Sequence, residues 1–181
     1  AIIHRPLVIP PALDGSAGAN RAPSTCKQIT ADTDLAAVGL WLAEFHDSPH
    51  TFRSYRKEAT RLLVWAIEVR GKALSSLTRE DCLAYEAFLS HPPEHWNGAS
   101  LPRRGDARRL VASSLSPASV RQAVGILSGL FTYLVNAGYL AGNPWALKRR
   151  KRKVRGRPSI ERYLDQTLWD AVLTFVENEP R

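Results

Sequence analysis

Between Phe52 and Val69 the chain repeats its apolar residues every three or four positions. At 100° per residue, Phe52, Tyr55, Ala59, Leu62, Leu63, Ala66 and Val69 fall on one side of a helix. A period of this kind excludes a strand, whose side chains alternate every second residue. The same period recurs on both sides of the segment. Leu35, Val38, Leu42 and Phe45 predict a first helix from Asp32, with Asp32 or Asp34 as its cap, stopping at Asp47, Ser48 and Pro49. The second helix is expected from about His50 to Arg70, closed by Gly71. A third opens at Thr78, where Thr78 and Asp81 have the spacing of a capping box with Asp in place of Glu. Its apolar positions are Leu83, Tyr85, Ala87, Phe88 and Leu89, and it ends before Pro92 and Pro93. Ser116 and Pro117 open a fourth, with Val120, Val124, Leu127, Phe131 and Leu134 as its stripe and Gly138 as its stop. A short turn covers Pro144 to Leu147, and a last amphipathic helix over roughly Asp165 to Asn178 carries Leu168, Val172, Leu173 and Val176. No segment alternates as a strand, and no internal repeat is present. The fold class expected is all-α: a bundle of four to five helices over 32–147, a basic linker over 148–160, and the opening helix of a following domain over 161–181.

Two stretches stand outside this pattern. Residues 1–31 are rich in Pro, Gly, Ala and Ser without apolar period, which predicts a mobile tail. The chain holds no methionine, even at its start, so its numbering is expected to begin inside a longer product. Residues 91–114 form a long irregular segment with Arg103, Arg104, Arg108 and Arg109; loops of this length are functional or disordered. No apolar run reaches the roughly 18 residues that suggest a membrane span. The apolar pieces at Ala1 to Ile3 and Leu7 to Ile9 are too short and proline-broken for a signal peptide, so a cytoplasmic location and no membrane partner are expected.

Few residues offer chemistry. Cys26 and Cys82 define neither a disulfide framework nor a zinc site. His91 and His95 have metal-ligand spacing, but Pro92 and Pro93 between them forbid the helix that would aim both rings one way. There is no glycine-rich phosphate cradle and no carboxylate cluster with ligand spacing. No catalytic residue, metal or cofactor is expected.

The charge is more informative. Lys and Arg number 25 against 17 Asp and Glu, a net charge of +8, with a pI near 9.9 and a mean hydropathy of −0.24. Such a balance suits a polyanionic partner if the cations cluster. On the second helix Arg53, Lys57, Thr60 and Arg61 lie opposite the apolar stripe with Arg56 on the flank, and only Glu58 and Glu68 offset them. Such a face is either solvated or a phosphate-binding stripe; Thr51 in the first turn adds a hydroxyl beside the positive helix end. On the fourth helix Arg121, Gly125, Ser128, Gly129 and Thr132 make a strip of small residues. It serves close helix packing, or lets the helix approach DNA with Ser119, Arg121 and Gln122 reaching base edges or phosphates. Lys148, Arg149, Arg150 and Lys151 open a run of six cations ending at Lys153. That run reads as a localisation or solubility tract, or as a linker along a phosphate backbone.

Several of these fragments in one order resemble a known family. They are Thr51 to Arg56 with Arg61 to Trp65, Leu77 to Asp81, Leu115 to Arg121, Leu130 to Leu134, Ala137 to Leu140 and Gly142 to Trp145, followed by the basic run. The pattern is similar to the SAM-like core-binding domain of tyrosine recombinases (the phage-integrase family) over roughly residues 34–150. The resemblance implies one arm of a C-shaped clamp on double-stranded DNA, with the second and fourth helices in the major groove. It implies Thr51, Arg53, Arg56, Lys57, Ser119, Arg121, Gln122 and the cations Lys148, Arg149, Arg150 and Lys151 as DNA contacts, and assembly with other recombinase subunits, a tetramer for the full-length protein. Glu161 to Asp165 resembles the entry to the catalytic domain. The family's catalytic arginine, its His-x-x-Arg box and its late tyrosine nucleophile have no counterpart here, so the fragment is expected to bind DNA and cut nothing. A stand-alone helical DNA-binding regulator and a helical protein-interaction module with a basic tail remain as other readings.

Overall fold

The chain divides into two compact units, Ala1–Lys148 and Arg149–Arg181. The computed structural model describes residues 9–93 and 114–147, all within the first unit. The arginines at 103–109, the basic linker with its site candidates Lys148, Arg149, Arg150 and Lys151, and the helix expected at Asp165 to Asn178 lie outside the described residues.

The described residues form four α-helices: α1, Asp34–Ala43; α2, Pro49–Glu68; α3, Arg79–Ser90; and α4, Pro117–Asn136. Single 3-10 turns occupy Pro11–Leu13, Ser24–Cys26 and Leu74–Ser76. Among the described residues there is no strand, only an isolated antiparallel bridge between Arg21 and Leu140. The unit is therefore all-α, as the periodicity predicts.

The helix ends follow local chemistry. Thr78 Oγ1 accepts from the amide of Asp81 at 3.4 Å while Asp81 Oδ2 accepts from the amide of Thr78 at 3.0 Å, so the capping box forms with the shorter acid. Ser116 Oγ accepts from Ser119 N at 3.2 Å and opens α4. Gly71 and Gly138 take φ of +61° and +67° and terminate α2 and α4. The cap of α1 is Thr33, which accepts from Ala36 N. Neither expected aspartate caps the helix: Asp34 has turned inward, and Asp32 pairs with Lys27 at 2.7 Å.

α2 and α4, each 20 residues, cross at the centre of the bundle. Every residue of the expected α4 stripe is buried, with Ala123 and Leu130 beside it. α4 is long and apolar enough by composition to cross a membrane, but here that apolar side forms the middle of the core. Trp65, Tyr85, Phe88 and Trp145 close one end: Tyr85 sits 5.0 Å from Trp65 and 6.4 Å from Trp145, edge to face in both cases. Some apolar positions expected inside are exposed. Val69 is the C-cap of α2, and Leu83 and Ala87 line the outer side of α3.

The largest departure concerns the expected N-terminal tail. Its described part, residues 9–31, is built into the domain. Asn20 N donates to Ser75 O at 2.8 Å, Ala22 N to Tyr139 O at 3.1 Å, and Gln28 N to Ala137 O at 2.9 Å. The Asn20 side chain donates to Gly142 O at 2.8 Å and accepts from Gly142 N at 3.1 Å. The guanidinium of Arg21 lies 3.9 Å over the Tyr139 ring and donates to the carbonyls of Gly15 and Asp32. Asp34 joins these parts. It is 1% exposed, and its carboxylate accepts from Ser75 N at 2.9 Å, Ser75 Oγ at 3.1 Å and Tyr139 Oη at 2.9 Å. Burial raises its pKa above the usual carboxylate value despite those bonds, because desolvation outweighs them. This strap needs no apolar period, since hydrogen bonds hold it and glycines admit it. A Cβ at Gly15 would collide with the Asp34 carboxylate, and one at Gly138 with the carbonyl of Cys26.

Two predictions follow from this packing. Gly138→Ala forces a side chain into that carbonyl at a positive φ and should lower unfolding free energy by about 2 kcal/mol in urea titration; an unchanged midpoint would mean the strap does not seat on α4. Asp81 is buried against Arg70 at 2.6 Å and Lys72 at 2.7 Å. Burial would raise its pKa, but the hydrogen bonds from Lys72, Thr78 and Arg70 prevail and hold it at about 2. A depressed folded pKa means the pair's contribution is complete above the unfolded value near 4 and disappears as pH falls toward 2. Asp81→Asn should flatten that acid limb of the stability curve.

Candidate nucleic-acid interface

The first three turns of α2 carry their cations outward because the inward positions are already apolar. Arg53, Arg56 and Lys57 are exposed, while Phe52 and Tyr55 are partly covered. Glu58 and Arg61 do not belong to that face. Arg61 is 2% exposed and its guanidinium meets Glu58 Oε2 at 2.8 Å inside the bundle. Arg61 is thus corrected from a surface cation to a buried one: α2 is buried on every side from Arg61 to Ala66. Burial raises the pKa of Glu58, against the opposing pull of Arg61 and Lys57. Turning Glu58 inward also removes the nearest acid from the exposed stripe.

At the start of α2 the amides have no side-chain cap, since Ser48 Oγ donates instead to Thr51 Oγ1 at 2.8 Å. Thr51 keeps its own hydroxyl proton for an outside acceptor. The first turn of α4 holds Ser119, whose Oγ lies 3.0 Å from Ser116 Oγ. Arg121 and Gln122 are both exposed.

An open hollow of about 420 Å³ lies nearby, lined by Trp41 of α1, Phe45 just beyond it, Tyr55 of α2, and Gln122, Gly125, Ile126 and Gly129 of α4. Its floor is aromatic: Trp41 stacks on Tyr55 with centroids 5.2 Å apart, and Phe45 meets both edge-on. Of the sequence-derived site candidates, Gln122 lines this groove, while Arg53, Arg56, Lys57 and Arg121 do not. Lining residues Trp41, Phe45 and Ile126 were not among the sequence-derived candidates, since an aromatic or aliphatic residue at helical spacing reads as core.

The small-residue strip of α4 divides in two. Ser128 and Thr132 receive the side chain of Asn143, whose Nδ2 donates to Ser128 O at 3.2 Å and Thr132 Oγ1 at 3.0 Å. Among the described residues, a Cβ on Gly125 or Gly129 would meet no atom within 4 Å, so neither glycine serves close packing against another described helix.

Among the described residues no group of three His, Cys, Asp or Glu side chains could hold a metal ion. Cys82 is buried and its thiol is pushed up to about 12 by desolvation, so it is no nucleophile at neutral pH. Searches against protein-family models, curated proteins and solved structures found no match for this chain.

The two classes of arginine separate by stability. Arg61→Ala leaves Glu58 buried and uncompensated and should cost about 3 kcal/mol or more; Arg53→Ala should stay within about 0.5 kcal/mol of the parent. Thermal denaturation of both proteins checks this, and equal losses would contradict the burial assignment.

Proposed function

We propose that this chain binds double-stranded DNA through the face formed by the N-terminal halves of α2 and α4. The observation that carries the reading is the exposed cationic row Arg53, Arg56 and Lys57 on the first turns of α2, with Glu58 turned away from it; Arg121 and Gln122 are exposed on the first turns of α4. Long exposed cations in such a row neutralise phosphates, and each neutralised phosphate releases counterions. The uncapped start of α2 adds amide donors and a partial positive charge near Thr51, both suited to a phosphate oxygen. On α4, Arg121 and Gln122 have the donor patterns that match guanine and adenine edges in the major groove, and Ser119 supplies a hydroxyl.

Within that class, the chain is best read as the SAM-like core-binding domain of a tyrosine recombinase. Support comes from four helices in the order the resemblance requires and from the position of the cations on the second and fourth of them. In this reading the basic run at Lys148, Arg149, Arg150 and Lys151 tracks the backbone toward a catalytic domain, further subunits assemble on the same DNA, and the protein acts in the cytoplasm.

Titration of the protein against a short duplex over a salt series tests the binding. Affinity should fall steeply with salt; Arg53→Ala and Arg56→Ala should each reduce the log–log slope by about one, and Arg121→Ala should cost about 1–3 kcal/mol and relax the sequence preference. Binding that ignores salt, or that survives all three substitutions unchanged, would overturn the interface. The recombinase reading is tested separately by the coding sequence downstream of Arg181, which should encode a His-x-x-Arg box and a late tyrosine.

A further inference from the structure

The outer side of α4 holds one apolar side chain that the core covers only in part. Ile126 packs against the core cluster, yet it is half-buried and also lines the open hollow above Trp41 and Tyr55. Gln122, Gly125 and Gly129 line the same hollow. Four positions separate Gln122 from Ile126, so the two side chains stand about 6 Å apart on one side of the helix. Glycine is a costly choice inside a helix. At 125 and 129, however, a Cβ would meet no atom within 4 Å among the described residues. The backbone of α4 is therefore bare beside Ile126.

Chemistry and size decide what fits. None of the described lining side chains is charged. Exposed Arg121 stands next to Gln122, whereas the charge of Glu44 acts on Tyr133, a full turn beyond Gly129. The approach thus suits a polyanion that presents an uncharged edge with an apolar group on it. Seven residues line the hollow, far fewer than the roughly 20–30 a side of a stable protein interface. The edge of a base pair has the right size. In the major groove the 5-methyl group of thymine is an apolar feature, and it shares its edge with the adenine N6 and N7 that a glutamine amide matches. An amide and an aliphatic side chain one helical turn apart therefore match the two ends of an A·T pair.

We propose that Ile126 is a specificity-determining residue of the DNA-binding face: it receives the thymine methyl of an A·T pair whose adenine is held by Gln122. Gly125 and Gly129 let the base edge come close to α4, and the aromatic floor of the hollow keeps the methyl group out of water. The inference rests on the DNA-binding reading.

Two short alternating A·T duplexes, alike except that uracil replaces every thymine in one, test it, because uracil lacks only the 5-methyl group. The parent protein should bind the thymine duplex about four-fold more tightly, the factor expected for burying one methyl-sized group. Ile126→Ala should bind the two duplexes equally. Gly129→Leu fills the hollow from a position whose Cβ meets nothing, so it should leave the fold intact and also lose the preference. Equal affinity of the parent for both duplexes, with the expected salt dependence, overturns the role of Ile126 and leaves the DNA reading intact. A preference that survives either substitution comes from the shape of the duplex and overturns it as well. No binding to either duplex overturns the inference and the DNA reading together.

Discussion

A single buried carboxylate ties together the parts of the domain that helix packing alone leaves apart. Asp34 starts α1, accepts from Ser75 in the turn before α3, and accepts from Tyr139 beyond the end of α4. Its own amide donates to Asp14 in the strap at 2.8 Å. The cation nearest this group, Arg21, is spread over the Tyr139 ring and backbone carbonyls rather than paired with the acid directly. Burial raises the pKa of Asp34, so holding it ionised at neutral pH opposes folding, and what offsets this is the set of donors fixed around it. Remove one donor and the cost of the buried charge falls on the rest. That is why Ser75 and Tyr139, far apart in sequence, sit so tightly in register.

The remaining charges sort by depth into two jobs. Asp81 with Arg70 and Lys72, and Glu58 with Arg61, fix helices in place. Arg53, Arg56, Lys57 and Arg121 are instead exposed on the outside of α2 and α4. This separation gives the outward face its sign. A net charge of +8 describes the whole chain, whereas any partner meets only the exposed residues, from which Glu58 has been withdrawn.

How far the sequence foretold this depends on the kind of interaction. Helices packed through a stripe were legible: Val120 to Leu134 repeats at helical spacing, and the whole stripe is buried. The ends were legible where chemistry is local, as with Thr78 and Asp81, or Gly71 and Gly138. Two things left no periodic trace. The strap is held by long-range hydrogen bonds between residues as distant as Asn20 and Gly142, and a Pro/Gly-rich stretch held in this way has the composition of a free one. The inward turn of Arg61 was hidden as well, because on a helical wheel it lies with Lys57 and Thr60, and only the covering of α2 beyond its third turn separates them. In the candidate site, the cations could be placed on a face from spacing, whereas the aromatic floor of Trp41, Phe45 and Tyr55 could not be told from core until three helices were set around it.

The pairing of Asn20 with Gly142 has a mechanical consequence. It closes the chain between residues 20 and 142 into a loop, fastened by two side-chain hydrogen bonds and the bridge between Arg21 and Leu140. All four helices described above lie inside that loop, so its two ends part only when the clasp opens.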